Sequence, residues 1–303
     1  MFGRTIACAL IVLVSSPLAA QPVLRYTFDE ASGNALDTGA GAATDATFEG
    51  GATRSTDTPS GSGMSLDMRT DSPHAHLLGP DAAELDGLPA LTLTTWLKVE
   101  TYPDATSNNK RLLAKQAGTA TFDGFTFNMN ASRVDAENDP PAGPDSIRLG
   151  LFLGGENGFD FALSDAYVDA TQWAFIAAAY DPQAGTIAYF SGGVSTPVTQ
   201  LGTTQFLALV PGAIDGMDAR FAVGLTDAAA TADTSVTGWQ DDVRVYGTAL
   251  DLAALEAVRM ENLGGGGGGN VADFNNDGDV DGADLAEWEM GFGTIGTAAK
   301  ADG

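Results

Sequence analysis

Between Pro22 and Tyr246 the chain is broken into short apolar or alternating runs by clusters of Gly, Asp, Pro and Asn. The clusters return roughly every 8 to 15 residues, a rhythm that suits strands joined by turns and few other structures. Strands are expected at 23–28, 64–68, 74–78, 91–98, 111–115, 125–130, 147–153, 159–163, 173–180, 186–190, 221–225 and 236–246. Residues 91–98 alternate apolar with hydroxyl side chains, as a half-buried strand does. Residues 173–180 are continuously apolar and would also suit a helix, but Asp169 and the Asp181-Pro182 turn mark them as a central strand. Strands and helices do not alternate, which excludes a doubly wound nucleotide-binding fold. Before the glycine tract one helix is expected, at 251–262, with Asp251 as N-cap and Leu252, Leu255 and Val258 as its apolar stripe. With 303 residues, 44% of them hydrophobic, the chain has enough apolar mass for one large core and a small appendage.

The ends read differently from the body. Arg4, the apolar run 5–14 and the small residues up to Ala20 form a secretion signal over residues 1–20, too short to span a bilayer. Cys8, the only cysteine, leaves with it, so the secreted protein has neither a disulfide nor a thiol nucleophile. A sandwich domain is expected over 21–263, followed by a glycine-rich linker at 264–270 that opens with six consecutive glycines. Residues 271–303 form a separate unit. Asp273, Asn275, Asp277, Asp279, Asp281 and Asp284 occupy positions 1, 3, 5, 7, 9 and 12 of an EF-hand-type loop, and Gly278 stands at the sixth, where the turn is sharp. This is a calcium pattern. Five aspartates so close together repel one another until a hard cation sits between them. Asp279 faces the ion through its backbone carbonyl, Asp281 acts through a water, and the helix after the loop makes the unit half an EF-hand.

The net charge of −26 excludes nucleic acid and anionic membrane surfaces as partners, because both would be repelled. Catalytic patterns are missing. Glu84-Leu-Asp-Gly-Leu-Pro89 lacks the second glutamate that a retaining glycosidase sets across from its acid. His74 and His76, the only histidines, are expected on one face of a short strand. No phosphate-binding glycine loop or zinc-protease helix is present. Trp96, Trp173 and Trp239 read as core packing, whereas the loop aromatics Tyr102, Phe122 and Tyr167 are the candidates to touch a ligand. Asn130-Ala-Ser132 fits an N-glycosylation acceptor.

Several segments taken in order resemble a LamG-like domain of the concanavalin A-like lectin/glucanase superfamily. They are the opening 24–39, the strand 91–98 with Trp96, the strand 173–181, the hairpin 185–193 and, most specifically, Gly238-Trp-Gln-Asp-Asp-Val-Arg-Val-Tyr246 with the residues up to Asp251. The resemblance spans 23–263 and implies an all-β jelly-roll β-sandwich of two antiparallel sheets that binds carbohydrate or protein. It also implies a structural calcium where the first and last strands meet, for which Asp29 and Asp241 are the residues, with Asp242 in reserve. The alternative is that these carboxylates cap turns or pair with Arg25 or Arg244. Residues 273–292 are similar to one repeat of a type I dockerin, and Ala301-Asp-Gly303 resembles the opening of a second repeat, which implies that the module continues. The likeness implies a cohesin-like or cell-surface docking partner, although Gly282 at a partner-selecting position is featureless. Together these readings imply a secreted, non-catalytic protein that binds polysaccharide or another glycoconjugate and is tethered through a calcium-folded tail. A structural or adhesion protein, or a glycoside hydrolase or lyase of the same superfamily, remain the alternatives.

Overall fold

Strands form where side chains alternate between a core and a cover. In chain order, among the described residues, they are β1 (Leu24–Tyr26), β2 (Thr47–Glu49), β3 (Thr53–Ser55), β4 (Ser65–Asp67), β5 (His76–Asp81), β6 (Leu91–Thr101), β7 (Lys110–Lys115), β8 (Gly124–Asn130), β9 (Ser146–Gly155), β10 (Gly158–Leu163), β11 (Val168–Asp169), β12 (Ala174–Asp181), β13 (Thr186–Gly193), β14 (Thr199–Gln200), β15 (Gln205–Phe206), β16 (Arg220–Val223) and β17 (Thr237–Tyr246). The helix α1 (Leu252–Met260) follows. The computed structural model describes residues 20–70, 74–102, 109–116, 123–130, 146–215, 218–225 and 235–265. The signal segment before Ala20, Phe122 and the calcium loop 273–284 lie outside the described residues.

All strand pairs are antiparallel, and they build two sheets. The first runs β14-β13-β12-β6-β17-β4-β3, with β1 also on β17 and β15 on β13. The second runs β10-β9-β8-β7-β16-β5-β2, with β11 on β9. The molecule is thus the jelly-roll-like sandwich expected from the strand rhythm. Leu93, Leu97, Ile176, Tyr180, Tyr189, Val243 and Val245 of the first sheet meet Phe125, Phe127, Leu149, Leu151, Leu153 and Phe221 of the second in one continuous core.

The first sheet is covered on its other face as well. Leu255 and Val258 of α1 pack with Trp96, Phe175, Ala177, Ala179, Phe190 and Tyr246 in a second apolar cluster. This explains the unbroken apolar run of β12. Its even-numbered residues enter the sandwich core, and its odd-numbered ones lie under the helix. Trp96 and Phe175 face each other across β6 and β12, with ring centroids 5.6 Å apart and edge-on. Asp251 caps α1 by accepting from the Ala254 N–H at 2.9 Å, a contact of the sort that contributes about 1 kcal/mol. The expected stripe needs one correction: Leu252 is 45% exposed, because it sits in the first turn and points away from the sheet.

Candidate functional site

The outer face of the second sheet is polar and buried at once. In β8, Phe125, Phe127 and Met129 point inward, so Thr126, Asn128 and Asn130 point outward. The register sets Arg111 beside Asn128, and Asn130 beside Arg148. Asn128 is 0% and Asn130 6% exposed on this outward face. Arg111 Nη1 donates to Asn128 Oδ1 at 3.0 Å. Among the described residues, the Arg111 Nε, the Asn128 Nδ2 and both side-chain polar atoms of Asn130 have no partner. An unsatisfied buried donor or acceptor costs about 1–3 kcal/mol. Gly150 on β9 leaves the space Asn130 occupies, since a Cβ there would stand 2.8 Å from Asn130 Nδ2.

One pleat further along, Thr126 pairs with Phe152 and Phe152 with Phe161. The Phe152 and Phe161 rings stack with centroids 4.8 Å apart and planes within 7°. Phe159 joins them at 6.1 Å from Phe152, and Phe161 is 48% exposed. Orphaned amides, a guanidinium and apolar rings therefore share one side of the sandwich. Sequence reasoning singled out none of these residues for binding. The alternation of Phe125, Phe127 and Met129 with Thr126, Asn128 and Asn130 does mark the outward set, but which of its polar atoms go without partners is a tertiary property.

A second surface is a cleft of about 330 Å³ at the β13 edge, lined by Tyr167, Asp169, Gln172, Trp173, Ser191 and Thr199. Of the expected ligand-touching aromatics, Tyr167 lines this cleft, and the Arg148 guanidinium lies 6.0 Å from its ring centre. Tyr102 packs against the main core, and its hydroxyl accepts from the Ala170 N–H at 3.0 Å. Trp173 lies just before β12 rather than within it, and its Nε1 donates to Asp57 Oδ1 at 2.9 Å. Trp96 is 0%, Trp173 8% and Trp239 9% exposed, so the tryptophans pack as expected.

A third cluster lies where β1 and β17 run side by side. Tyr26 pairs with Val243, which brings Phe28 and Asp29 alongside Asp241 and Asp242. The β17–β6 register breaks between Asp241 and Arg244. Phe28 (φ 64°) and Asp242 (φ 45°) both take left-handed backbone that non-glycine residues seldom adopt. Asp242 is fully engaged. It accepts from Arg25 Nε at 2.9 Å and from Arg244 Nη2 at 2.6 Å, while Glu261 bridges the same two guanidinia at 2.7 Å each. The ion-pair alternative thus holds for Asp242. Asp29 caps a turn, accepting from the Met64 N–H at 2.8 Å. Asp241 does neither. It is 3% exposed, and its Oδ1 accepts from the N–H of Asp242 at 2.7 Å. Burial pushes its carboxyl pKa well above the usual range, and the charges of Asp242 and Asp29 push the same way, against a hydrogen bond from Asn262. The Asn262 Oδ1 is itself a buried acceptor without a partner among the described residues.

Asp241, Asp29 and Asn262 carry oxygens of the hard type that calcium takes, and both Asp29 and Asn262 act on the Asp241 carboxyl. Among the described residues no three His, Cys, Asp or Glu side chains form a metal-binding group. An ion here would therefore depend on carbonyl and amide oxygens for the rest of its shell.

The remaining expectations concern catalysis. Glu84 accepts from Thr44 Oγ1, and Asp86 pairs with Lys115 at 2.6 Å, so both carboxylates have structural partners. His74 and His76 do not share a strand: β5 begins at His76, whose Nδ1 lies 2.8 Å from the His74 carbonyl oxygen. The turn at His74 replaces the two-residue alternation that would have aligned the two rings. Among the described residues no helix is long and apolar enough to cross a membrane.

No protein-family model matches the chain, and a comparison with curated proteins gives no match. Solved structures do match in fold. The botulinum neurotoxin serotype D binding domain superposes with a TM-score of 0.53 at 10% identity, over 80% of this chain and 52% of that one. A botulinum neurotoxin type C structure, described as entering cells through two ganglioside molecules, matches with a TM-score of 0.53 at 9% identity, over 80% of this chain and 51% of that one. The botulinum neurotoxin DC binding domain in complex with rat synaptotagmin II gives 0.51 at 10% identity, over 80% and 52%. This chain spans about half the length of these structures, and at such identities the likeness establishes the sandwich fold alone.

Proposed function

We propose that this protein is an extracellular, non-catalytic glycan-recognition module whose sandwich binds polysaccharide or a glycoconjugate on the outer face of its second sheet. The observation that carries this reading is the set of buried, unpartnered polar atoms on Arg111, Asn128 and Asn130 beside the Phe152–Phe161 stack. Ordered water would satisfy those groups in the free protein. Sugar hydroxyls, each both donor and acceptor, take the same positions, and the apolar face of a sugar ring suits a neighbouring phenylalanine. Ganglioside contact in a toxin of like fold is in keeping with the reading. On a glycan array the protein is expected to give a saturable, competable signal. Asn130→Ala, which removes two polar atoms from the face, should weaken that signal about 10-fold or more, as loss of a hydrogen-bonding pair does. A blank array, or an unchanged signal in the variant, contradicts the assignment.

Adhesion to a protein or to the cell envelope is the second reading, favoured by the exposed apolar edge at Phe206, which is 80% exposed, and Phe161. A blank array together with specific capture of a surface protein would select it.

Calcium is the ion this reading gives to the tail, held by Asp273, Asn275, Asp277, Asp281 and Asp284 with the Asp279 carbonyl. A unit this small lacks a core sufficient to fold by itself, so the ion supplies its folding energy and allows it to dock to a cohesin-like or cell-surface partner. A second calcium belongs at Asp241, Asp29 and Asn262. In calorimetry of the full-length protein, Asp277→Ala should remove one calcium site and leave the melting of the sandwich unchanged. An unaltered calcium stoichiometry in that variant would end the case for the tail.

A further inference from the structure

We propose that the glycan bound on the second sheet is acidic, a polymer or oligosaccharide bearing carboxylates, with Arg111 as its anchor. The proposal rests on the reading of that face as a glycan site and adds the class of sugar.

The argument starts from charge pairing. The chain has 40 Asp and Glu against 14 Lys and Arg, so carboxylates are plentiful. The buried or half-buried cations Arg25, Arg54, Lys98, Lys115, Arg244 and Arg259 each hold one, at 2.6 to 2.9 Å. Arg111 is half-buried and holds none among the described residues. Among the described residues its one hydrogen-bond partner is the neutral amide oxygen of Asn128. Burial lowers its pKa from the ordinary arginine value, and no acid opposes that shift. A buried cation without an anion is destabilising, and a guanidinium does not shed its proton to escape the cost. Such an arrangement is understandable where an anion arrives from outside.

The geometry also selects the anion. Asn128 occupies Nη1, and Nε is unpartnered. The edge formed by Nε and Nη2 is left, two parallel N–H donors whose spacing matches the two oxygens of one carboxylate. Asn128 Nδ2 and both polar atoms of Asn130 lie on the same face, within reach of the hydroxyls of the same sugar. One such fork beside two amides suits a uronate or sialate residue. A nucleic acid would need many cations in a row. The −26 net charge does not forbid this, since at physiological salt charges farther away than about 8 Å are largely screened.

The test is titration of the full-length protein with a set of polyuronates, each paired with its own carboxyl-reduced, neutral form, and with a sulfated dextran. The expected result is at least 10-fold tighter binding to the carboxylated member of a pair. In Arg111→Gln that preference should shrink by about 10- to 100-fold, the range expected for a lost charged hydrogen bond, with the neutral forms little affected. Because Arg111 is uncompensated, the variant should melt at the same temperature as the parent or higher, which separates loss of binding from loss of fold. Equal binding to both members of a pair, or equally tight binding of sulfated dextran, overturns the carboxylate assignment while leaving glycan recognition standing. Binding to none of the polymers, charged or neutral, overturns both.

Discussion

Arg244→Met is expected to destabilise the sandwich by about 3–5 kcal/mol, the usual cost of removing one partner from a buried ion pair. The side chain is 2% exposed and the Asp242 carboxylate it grips 1%. Burial lowers the guanidinium pKa, and Asp242 beside it raises it by more, so the pair is held together charged. Methionine fills much of the volume but leaves Asp242 with Arg25 alone, and leaves Glu261 with a single cation at the helix end. Glu261 is the clamp between sheet and helix, so α1 should loosen with the network. For a domain of this size the melting temperature should fall by roughly 10 °C. Arg25→Met, at a site where the side chain is 22% exposed, should cost far less. Equal melting temperatures for the Arg244 variant and its parent would mean that the network is incidental to stability.

Asp241→Asn is expected to have opposite effects with and without calcium. In chelator it removes a buried, unpaired carboxylate and keeps a side chain of the same shape, so the protein should gain about 1–3 kcal/mol at neutral pH. The parent shows the same strain as a pH dependence. Its folded pKa is raised above the unfolded value, so the native state binds the extra proton. The stability this group contributes is complete below the unfolded pKa of about 3.9 and is lost as pH rises through the folded value. With calcium the order reverses. The ion favours the carboxylate form, and at a hundred times its dissociation constant it stabilises the parent by about 2.7 kcal/mol. The variant gains nothing from this site. Thermal melts of both proteins, in chelator and in calcium, provide the comparison. If calcium stabilises the variant as much as the parent, Asp241 is not a ligand.

Much of the fold was legible because burial leaves a period in the sequence. Every expected strand exists within a few residues of its expected ends, since each carries either alternation or an apolar run between turn residues. The strands that were not foreseen, such as β2, β3 and β14, are two or three residues long and mostly exposed. Pairing with a neighbour holds them in place, and no hydrophobic pattern announces them. Arg244 shows a subtler limit. In Val243-Arg-Val-Tyr246 the alternation places Val243 and Val245 inward and Arg244 outward, which ordinarily means solvent. Here outward means beneath the segment that follows α1, and no local pattern reveals that cover. The site was less legible still. Tyr167 was singled out as a loop aromatic and does line a cleft, but Asn128, Asn130 and Arg111 look like ordinary polar strand residues. What distinguishes them is the buried polar atoms they leave without partners among the described residues.

Hydrogen exchange of the full-length protein, read by mass spectrometry with and without a bound oligosaccharide, tests the central claim most directly. The account predicts slowed exchange in β7, β8 and β9, the strands that carry Arg111, Asn128, Asn130 and Phe152. Protection confined to the cleft between Tyr167 and Thr199, with those three strands unchanged, would contradict it.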